Sequence, residues 1–470
     1  MKTAFRSPNR RKTSARKSYP CRTRRLETWM SRYPQGLTFH KDSRVAHYLN
    51  ADWGLGKYKA VFSATRSASN PSTYFNSDGN MQLLNTSNVP RFIGGYYDAT
   101  GFHAAKGLLL EGASTNLLIN GAFDSNNVWS VASGDAELKY NSTARYRLYV
   151  NAGAGAATVN SIFSDSLYNK SAKISISNGG AIIGDVQFYN TNSFSITSGS
   201  KYTVSFFIKT NSSKTITVRV IKNTTPFTNY GLDSTITTVA NTWIRINKTF
   251  TANTTASDAR LTIYLGNIGA FDINIESIQV EELPYPSSFI PTTTAALTRN
   301  QEYLSFYTVN NFGTNRNRGS IGILYKPIML PSEQPPFEFL VYGPRFSIDS
   351  NNRWQILYSS NALSKPYLNT KSTTENNAVP GSSVSWTRYD SHFTIGTFST
   401  LADASGKKLN FFIDGVNRAQ DVAYTAPVGT MPEQFQIQLS GKQSMILEAI
   451  QLYNQRLSQS QIKHLYSLLS

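Results

Sequence analysis

Residues 215–220 read Thr215-Ile216-Thr217-Val218-Arg219-Val220. The aliphatics alternate with polar residues at a period of two. In an extended chain that puts Ile216, Val218 and Val220 on one face and Thr215, Thr217 and Arg219 on the other. The stretch is therefore a strand with one face buried and one face wet.

The same pattern spreads outward. Leu261, Ile263 and Leu265 alternate in residues 260–265, and Phe271, Ile273 and Ile275 in residues 271–275. Shorter cases are Ile174/Ile176, Phe194/Ile196, Val204/Phe206/Ile208 and Ile244/Ile246. Polar turn clusters such as Asn178-Gly179-Gly180 and Ser198-Gly199-Ser200 separate them. Many short alternating strands at this spacing predict an antiparallel sandwich, polar on its outer faces. A second block begins near residue 300, with strands expected at 320–325, 337–342, 354–358, 392–398, 409–413 and 435–439. Phe411-Phe412-Ile413-Asp414-Gly415-Val416 is a strand running into an Asp-Gly turn. One helix closes the chain. Ser458 and Gln461 form a capping box, and Ile462, Leu465, Tyr466 and Leu469 make one apolar stripe.

The expected fold is all-β: two antiparallel β-sandwich (jelly-roll) domains in tandem, with an extended basic N-terminal arm and a short C-terminal helix. The arm covers 1–45. An irregular connector with a few strands covers 46–118. The first sandwich covers 119–290 and the second 291–470, divided where Pro284, Pro286 and Pro291 remove ladder donors.

Composition agrees. Hydrophobic residues make up 40% of the 470 and charged residues 16%, enough apolar material for real cores. No window approaches about 18 consecutive apolar residues, so no membrane insertion is expected. The basic N-terminus is followed by no apolar stretch of about 7–15 residues, so no secretory signal is expected. Cys21 is the one cysteine, which excludes an intrachain disulfide and a cysteine zinc site.

The charge of +18 is uneven. Residues 1–45 hold thirteen Lys or Arg against Glu27 and Asp42, and so carry +11 of it. Ten of these cations precede residue 26, among them Arg6, Arg10, Arg11, Lys12, Arg16, Lys17, Arg22, Arg24 and Arg25. Such a block repels itself and stays extended in isolation. It suits docking on an acidic protein surface, binding nucleic acid through phosphate, or plain solubilisation. A mitochondrial-type presequence fits the composition, but Pro8 and Pro20 interrupt the segment and no amphipathic period is visible.

Several stretches also carry a resemblance. EGASTNLLINGAF (111–123), followed by Trp129, resembles the opening of the carbohydrate-binding-module-like jelly rolls of bacteriophage virion proteins. IQVEELPYPSSFIPTTTAALTRN (278–300) resembles the segment that closes such a jelly roll in tail-fibre and head-decoration proteins. There it leads into a concanavalin A-like, laminin-G-type domain, whose hairpin and strand-then-helix finish FFIDGV and ILEAIQLYNQRLSQSQIKHLYSLL resemble. Upstream, TYFNSDGNMQLLNTSNVPRF and GLLLEGA resemble the connector that precedes the pair. The resemblance covers about 60–470. It implies a non-enzymatic virion structural protein, decorating the head or forming a short head fibre, or alternatively a tail-fibre or tailspike adhesin for a host surface glycan. It implies a virion location, multicopy assembly and no catalytic residues. The arm lies outside it. On charge alone, the arm would anchor the chain to capsid or tail protein, or to packaged DNA.

Catalytic patterns are missing. His40, His47, His103, His392 and His464 form no metal-spaced pair. No nucleophile elbow, zincin motif or Walker lysine occurs. Glu281, Glu282 and Glu448 are the acids considered for glycoside hydrolysis, which needs two carboxylates facing one sugar. Glu281 and Glu282 are adjacent, point to opposite faces and read as solvated edge residues. Sugar binding needs exposed aromatic faces beside planar polar groups. The candidates are Trp354 and Tyr358 beside Asp349, Asn351 and Asn352, and Trp386 beside Arg388 and Tyr389. A Trp in a sandwich strand also serves as core or rim packing, and Trp129 and Trp243 are read that way. Asp349-Ser350-Asn351-Asn352 is most simply a hairpin turn. Its oxygens suit Ca2+, although no full ligand set is readable, and no other cofactor is expected.

Overall fold

The structure, a computed structural model, describes residues 37–40, 62–66, 71–123, 127–132, 135–159, 165–307, 318–330, 333, 339–347, 353–359, 365–371, 375–378, 385–399, 408–423, 434–438, 443–453 and 455–469. The expected anchoring residues from Arg6 to Arg25 lie outside these. Among the described residues no helix is long and apolar enough to cross a membrane.

The alternation at 215–220 becomes the strand Thr215–Lys222, with Ile216, Val218 and Val220 buried. It lies in a sheet of eight strands. Across that sheet run Asn229–Thr237, Thr215–Lys222, Ala256–Tyr264, Val186–Asn190, Thr143–Val150, Asp135–Tyr140 and Asn127–Ala132, with Phe194–Ile196 also on Ala256–Tyr264. A five-stranded sheet faces it: Ala156–Val159, Ala172–Asn178, Phe271–Glu281, Lys201–Thr210 and Ile244–Thr251. Leu148, Phe188, Val218 and Ile263 of the first sheet meet Ile174, Phe206, Ile246 and Ile273 of the second in one apolar core. The strand pairings within the two sheets are antiparallel, as the sequence predicts.

The second sandwich differs from the expectation in one respect. The region read as an irregular connector contributes regular strands to it. Arg91–Asp98 and Gly101–Glu111 form a hairpin, and Gly101–Glu111 pairs with the last strand of the chain, Ser444–Tyr453. Ser72–Phe75 and Met81–Leu84 continue that sheet to its edge. Phe62–Thr65 joins the facing seven-stranded sheet through Tyr303–Tyr307. Leu37–His40, at the end of the segment read as an extended arm, pairs with Gln451, Ile450 and Ala449. This sandwich is therefore built from both ends of the chain, with the first sandwich inserted between Glu111 and Glu302. Its core mixes Ile93, Leu108 and Leu110 with Ile323, Phe411 and Ile450. A run of small and polar residues hid these strands, because Gly94, Gly95 and Gly107 sit where a Cβ would strike backbone or a side chain.

The closing helix is Gln459–Leu469, capped as expected. Ser458 N–H donates to Gln461 Oε1 at 2.8 Å, and Gln461 N–H donates to Ser458 Oγ at 3.3 Å. Ile462, Leu465 and Leu469 pack on Phe393, Phe412 and Tyr453. Asp414 and Gly415 both take positive φ, 51° and 75°, as a two-residue hairpin of this twist requires.

The two stretches at the ends of the inserted sandwich meet. Ser114–Asn116 pairs with Leu297–Arg299. Arg91 lies between Glu111 and Glu302, and Arg299 reaches Glu111 at 3.1 Å. Ser288 N–H donates to Glu111 Oε1 at 2.7 Å. Glu281 corrects the solvated-edge reading. It is 0% exposed and accepts bonds from Ser114 Oγ, Gln279 Nε2, Ser287 N and Ser287 Oγ. Arg245 donates to the carbonyl of that same Ser287, so Ser287 bridges a buried cation and a buried anion. These acids are structural partners of the junction.

Candidate functional site

Strand register assembles one continuous row on the outer face of the eight-stranded sheet. Asp233 lies opposite Arg219, Arg219 opposite Thr262, and Thr262 opposite Tyr189. Tyr189 then lies opposite Arg147, Arg147 opposite Glu137, and Glu137 opposite Ser130. A second row runs Thr235, Thr217, Tyr264, Gln187 and Tyr149. Each of these alternates along its strand with a buried residue of the core, so all project from the same face.

The face has charge pairs and ring contacts together. Arg219 Nε is 2.9 Å from Asp233 Oδ1, and its guanidinium stands 5.1 Å from the Tyr264 ring. The hydrogen bond to Asp233 raises the Arg219 pKa above its ordinary value. Arg147 pairs with Asp135, and Lys139 lies 3.6 Å from Glu137. Arg260 touches two rings, its guanidinium 4.2 Å from Tyr189 and 4.8 Å from Phe227. Its Nε donates to Thr262 Oγ1 at 3.2 Å. Burial lowers the Arg260 pKa, against the opposing pull of Tyr189 and Tyr264. Phe227 is 54% exposed. The face thus offers aromatic surface, guanidinium edges, amide and hydroxyls side by side. Such a mixture packs the apolar side of a sugar ring and satisfies its hydroxyls. Among the described residues no group of His, Cys, Asp and Glu is arranged to hold a metal.

The residues expected from sequence lie elsewhere. Trp354 and Tyr358 fall in the strand Arg353–Ser359 of the seven-stranded sheet, and their side chains are outside the described residues. Asp349 and Asn352, with the turn considered for Ca2+, are outside them too. Trp386 is half-buried against the second core, with its ring 6.1 Å from Tyr325 and 3.9 Å from His392. Trp129 packs on the first core as read. Trp243 packs where the sandwiches meet, with its Nε1 donating to Asp165 at 3.1 Å. The face around Tyr189 lies outside those sequence expectations, although the sequence carries its signal. The same alternation that places Val218 and Ile263 inward places Arg219, Thr262 and Tyr264 outward.

The first sandwich is thus an antiparallel β-sandwich whose outer sheet face carries rings and guanidinium groups. Residues 115–270 match the model of the CBM_4_9 carbohydrate binding domain. Among solved structures, similar chains include the subject of "CBM4 structure and function", at 23% identity over 28% of this chain and 85% of that one, with a TM-score of 0.25. The N-terminal cellulose-binding domain of Cellulomonas fimi β-1,4-glucanase C is 18% identical over 29% of this chain and 88% of that one, with a TM-score of 0.23. Domain 4 of AbnA, an extracellular arabinanase from Geobacillus stearothermophilus, is 12% identical over 36% and 73%, with a TM-score of 0.27. No curated protein matches the chain. The matched domain is of a non-catalytic type.

Proposed function

We propose that the sandwich of residues 127–281 holds a glycan on the outer face of its eight-stranded sheet. The observation that carries this is the match of residues 115–270 to the carbohydrate binding domain family. The face supports it with Tyr149, Gln187 and Tyr189 in neighbouring register positions, beside the mostly buried Tyr264. Shallow sites of this kind bind each sugar weakly and gain through copy number. The test is glycan retention by affinity electrophoresis for the full chain and for Tyr189→Ala and Tyr264→Ala. Unchanged retention in both variants would remove this face from consideration.

The finer reading is that the chain is a non-enzymatic structural protein of a bacteriophage virion. It decorates the head or forms a short head fibre, with a concanavalin A-like second sandwich and the basic arm as anchor. The alternative is a tail-fibre or tailspike adhesin. Support comes from the sequence resemblance, and from the meeting of its two key stretches, 111–123 and 278–300, at one buried junction. Labelled imaging of intact particles tests it, and absence of the protein from purified virions would end it.

A further inference from the structure

We propose that the sheet face takes an acidic sugar, with Arg260 receiving the anionic group of the glycan. This rests on the glycan reading above and names the ligand class of the same site.

Arg219 is paired with Asp233, and Arg147 with Asp135. Arg145 Nη1 bonds the side-chain oxygen of Asn192 at 3.3 Å. Arg260 has no carboxylate within ion-pair range among the described residues. Its one hydrogen bond to a described group is from Nε to Thr262. A cation left without an acid in a largely desolvated place is unfavourable, and natural structures seldom keep one without cause.

Two rings lie against the guanidinium, Tyr189 at 4.2 Å and Phe227 at 4.8 Å. Arg260 keeps 7% of its surface exposed, so the rings cover it without sealing it. A guanidinium held against rings loses little freedom when its in-plane fork meets two oxygens. That fork matches a carboxylate or a sulfate, whereas a sugar hydroxyl uses only part of it. Phe227, far more exposed, stands beside the same group and provides the apolar surface on which a pyranose ring can lie. A neutral sugar would stack there and leave Arg260 uncompensated. Discrimination therefore comes from the unpaired cation as much as from the stacking.

The shared chemistry is an anionic oxygen pair, from a uronic acid or from a sulfate ester. The experiment measures binding of short oligosaccharides to the full chain at 0.15 M salt: trigalacturonate, a sulfated trisaccharide and cellotriose. The arm is common to all variants, and Lys106→Gln, an exposed position on the hairpin, controls for net charge. The expected result is at least tenfold tighter binding of one acidic ligand than of cellotriose, and whichever acidic ligand prevails identifies the source. Arg260→Gln should lose that preference while still binding the neutral sugar. Phe227→Ala, at an exposed position that tolerates change, should also lose it by loosening the hold on Arg260, which keeps the test open if Arg260→Gln does not fold. Equal binding of acidic and neutral ligands by the unaltered chain, or an unchanged preference in Phe227→Ala or in a folded Arg260→Gln, overturns the proposal. Absence of binding to all three, together with no effect of Tyr189→Ala on retention of any polysaccharide, points to failure of the glycan reading itself.

Discussion

Arg91 and Glu111 form an ion pair of 2.8 Å in which neither side chain is more than 1% exposed. The pair sits where the chain leaves one sandwich for the other, and Arg299 and Glu302 complete the network. A buried pair is not a large net gain, because both ions lose their water. Breaking it is another matter. Glu111→Leu would leave Arg91 and Arg299 with one buried acid between them. We expect a loss of about 3–5 kcal/mol in denaturant unfolding. A loss below about 1 kcal/mol would mean that the network relaxes freely.

The same network predicts an acid limit. Burial works to raise the Glu111 pKa, but Arg299 and Arg91 outweigh it and hold the carboxyl down to about 2, from an ordinary value of 4.5. The folded state therefore binds its proton later than the unfolded state. The stabilisation is complete above about 4.5 and is lost as pH falls towards about 2. Thermal melts across that range should show the decline, with a smaller slope in Glu111→Gln.

Glu276 predicts the opposite slope. It is buried under the loop at Leu167, whose N–H it accepts at 2.9 Å, and burial pushes it up to about 8. The unfolded acid loses its proton first, so stability falls as pH rises from about 4.5 to about 8. Glu276→Gln should flatten that part of the profile. An identical profile in the variant would show that another group titrates there.

Gly121 belongs to one of the stretches that carry the resemblance, and its role is spatial. A Cβ there would lie 2.2 Å from the carbonyl oxygen of Ile278, which is backbone and cannot swing away. Its own N–H donates to Thr292 Oγ1 at 2.8 Å. Gly121→Ala should cost about 1–3 kcal/mol through forced backbone shifts, read by denaturant midpoint. A neutral variant would mean that the two ends of the insertion can move apart cheaply.

The strand Leu37–His40 ties the end of the basic arm to the second sandwich. Cutting at residue 45 would remove Leu37–His40 and its pairing with the last strand. Removing residues 1–25 instead takes away ten basic residues and leaves that strand. If the arm anchors the chain to a particle, this shortened chain folds with unchanged circular dichroism but fails to assemble. Attachment of the full chain should then weaken towards 1 M salt, where the Debye length is about 3 Å. Normal occupancy by the shortened chain would assign the anchor to another surface.

By itself, the sequence determined the all-β class, the inward set of each clear strand, the Asp414-Gly415 turn and the capped final helix. These depend on neighbours a few residues apart, and a period of two or 3.6 is visible without knowing any partner. Only the tertiary structure decided which strands lie side by side. Gly101–Glu111 pairs with Ser444–Tyr453 across most of the chain, and nothing local to either specifies the other. It also decided that Glu281 is buried, because the serines that satisfy it, Ser114 and Ser287, are brought in by the ribbon at the junction. The candidate face is of the same kind. Tyr189, Arg219, Phe227 and Arg260 come from separate segments and become neighbours through register and packing. Each was legible as an outward or loop residue, but their conjunction exists only once the sheet has closed.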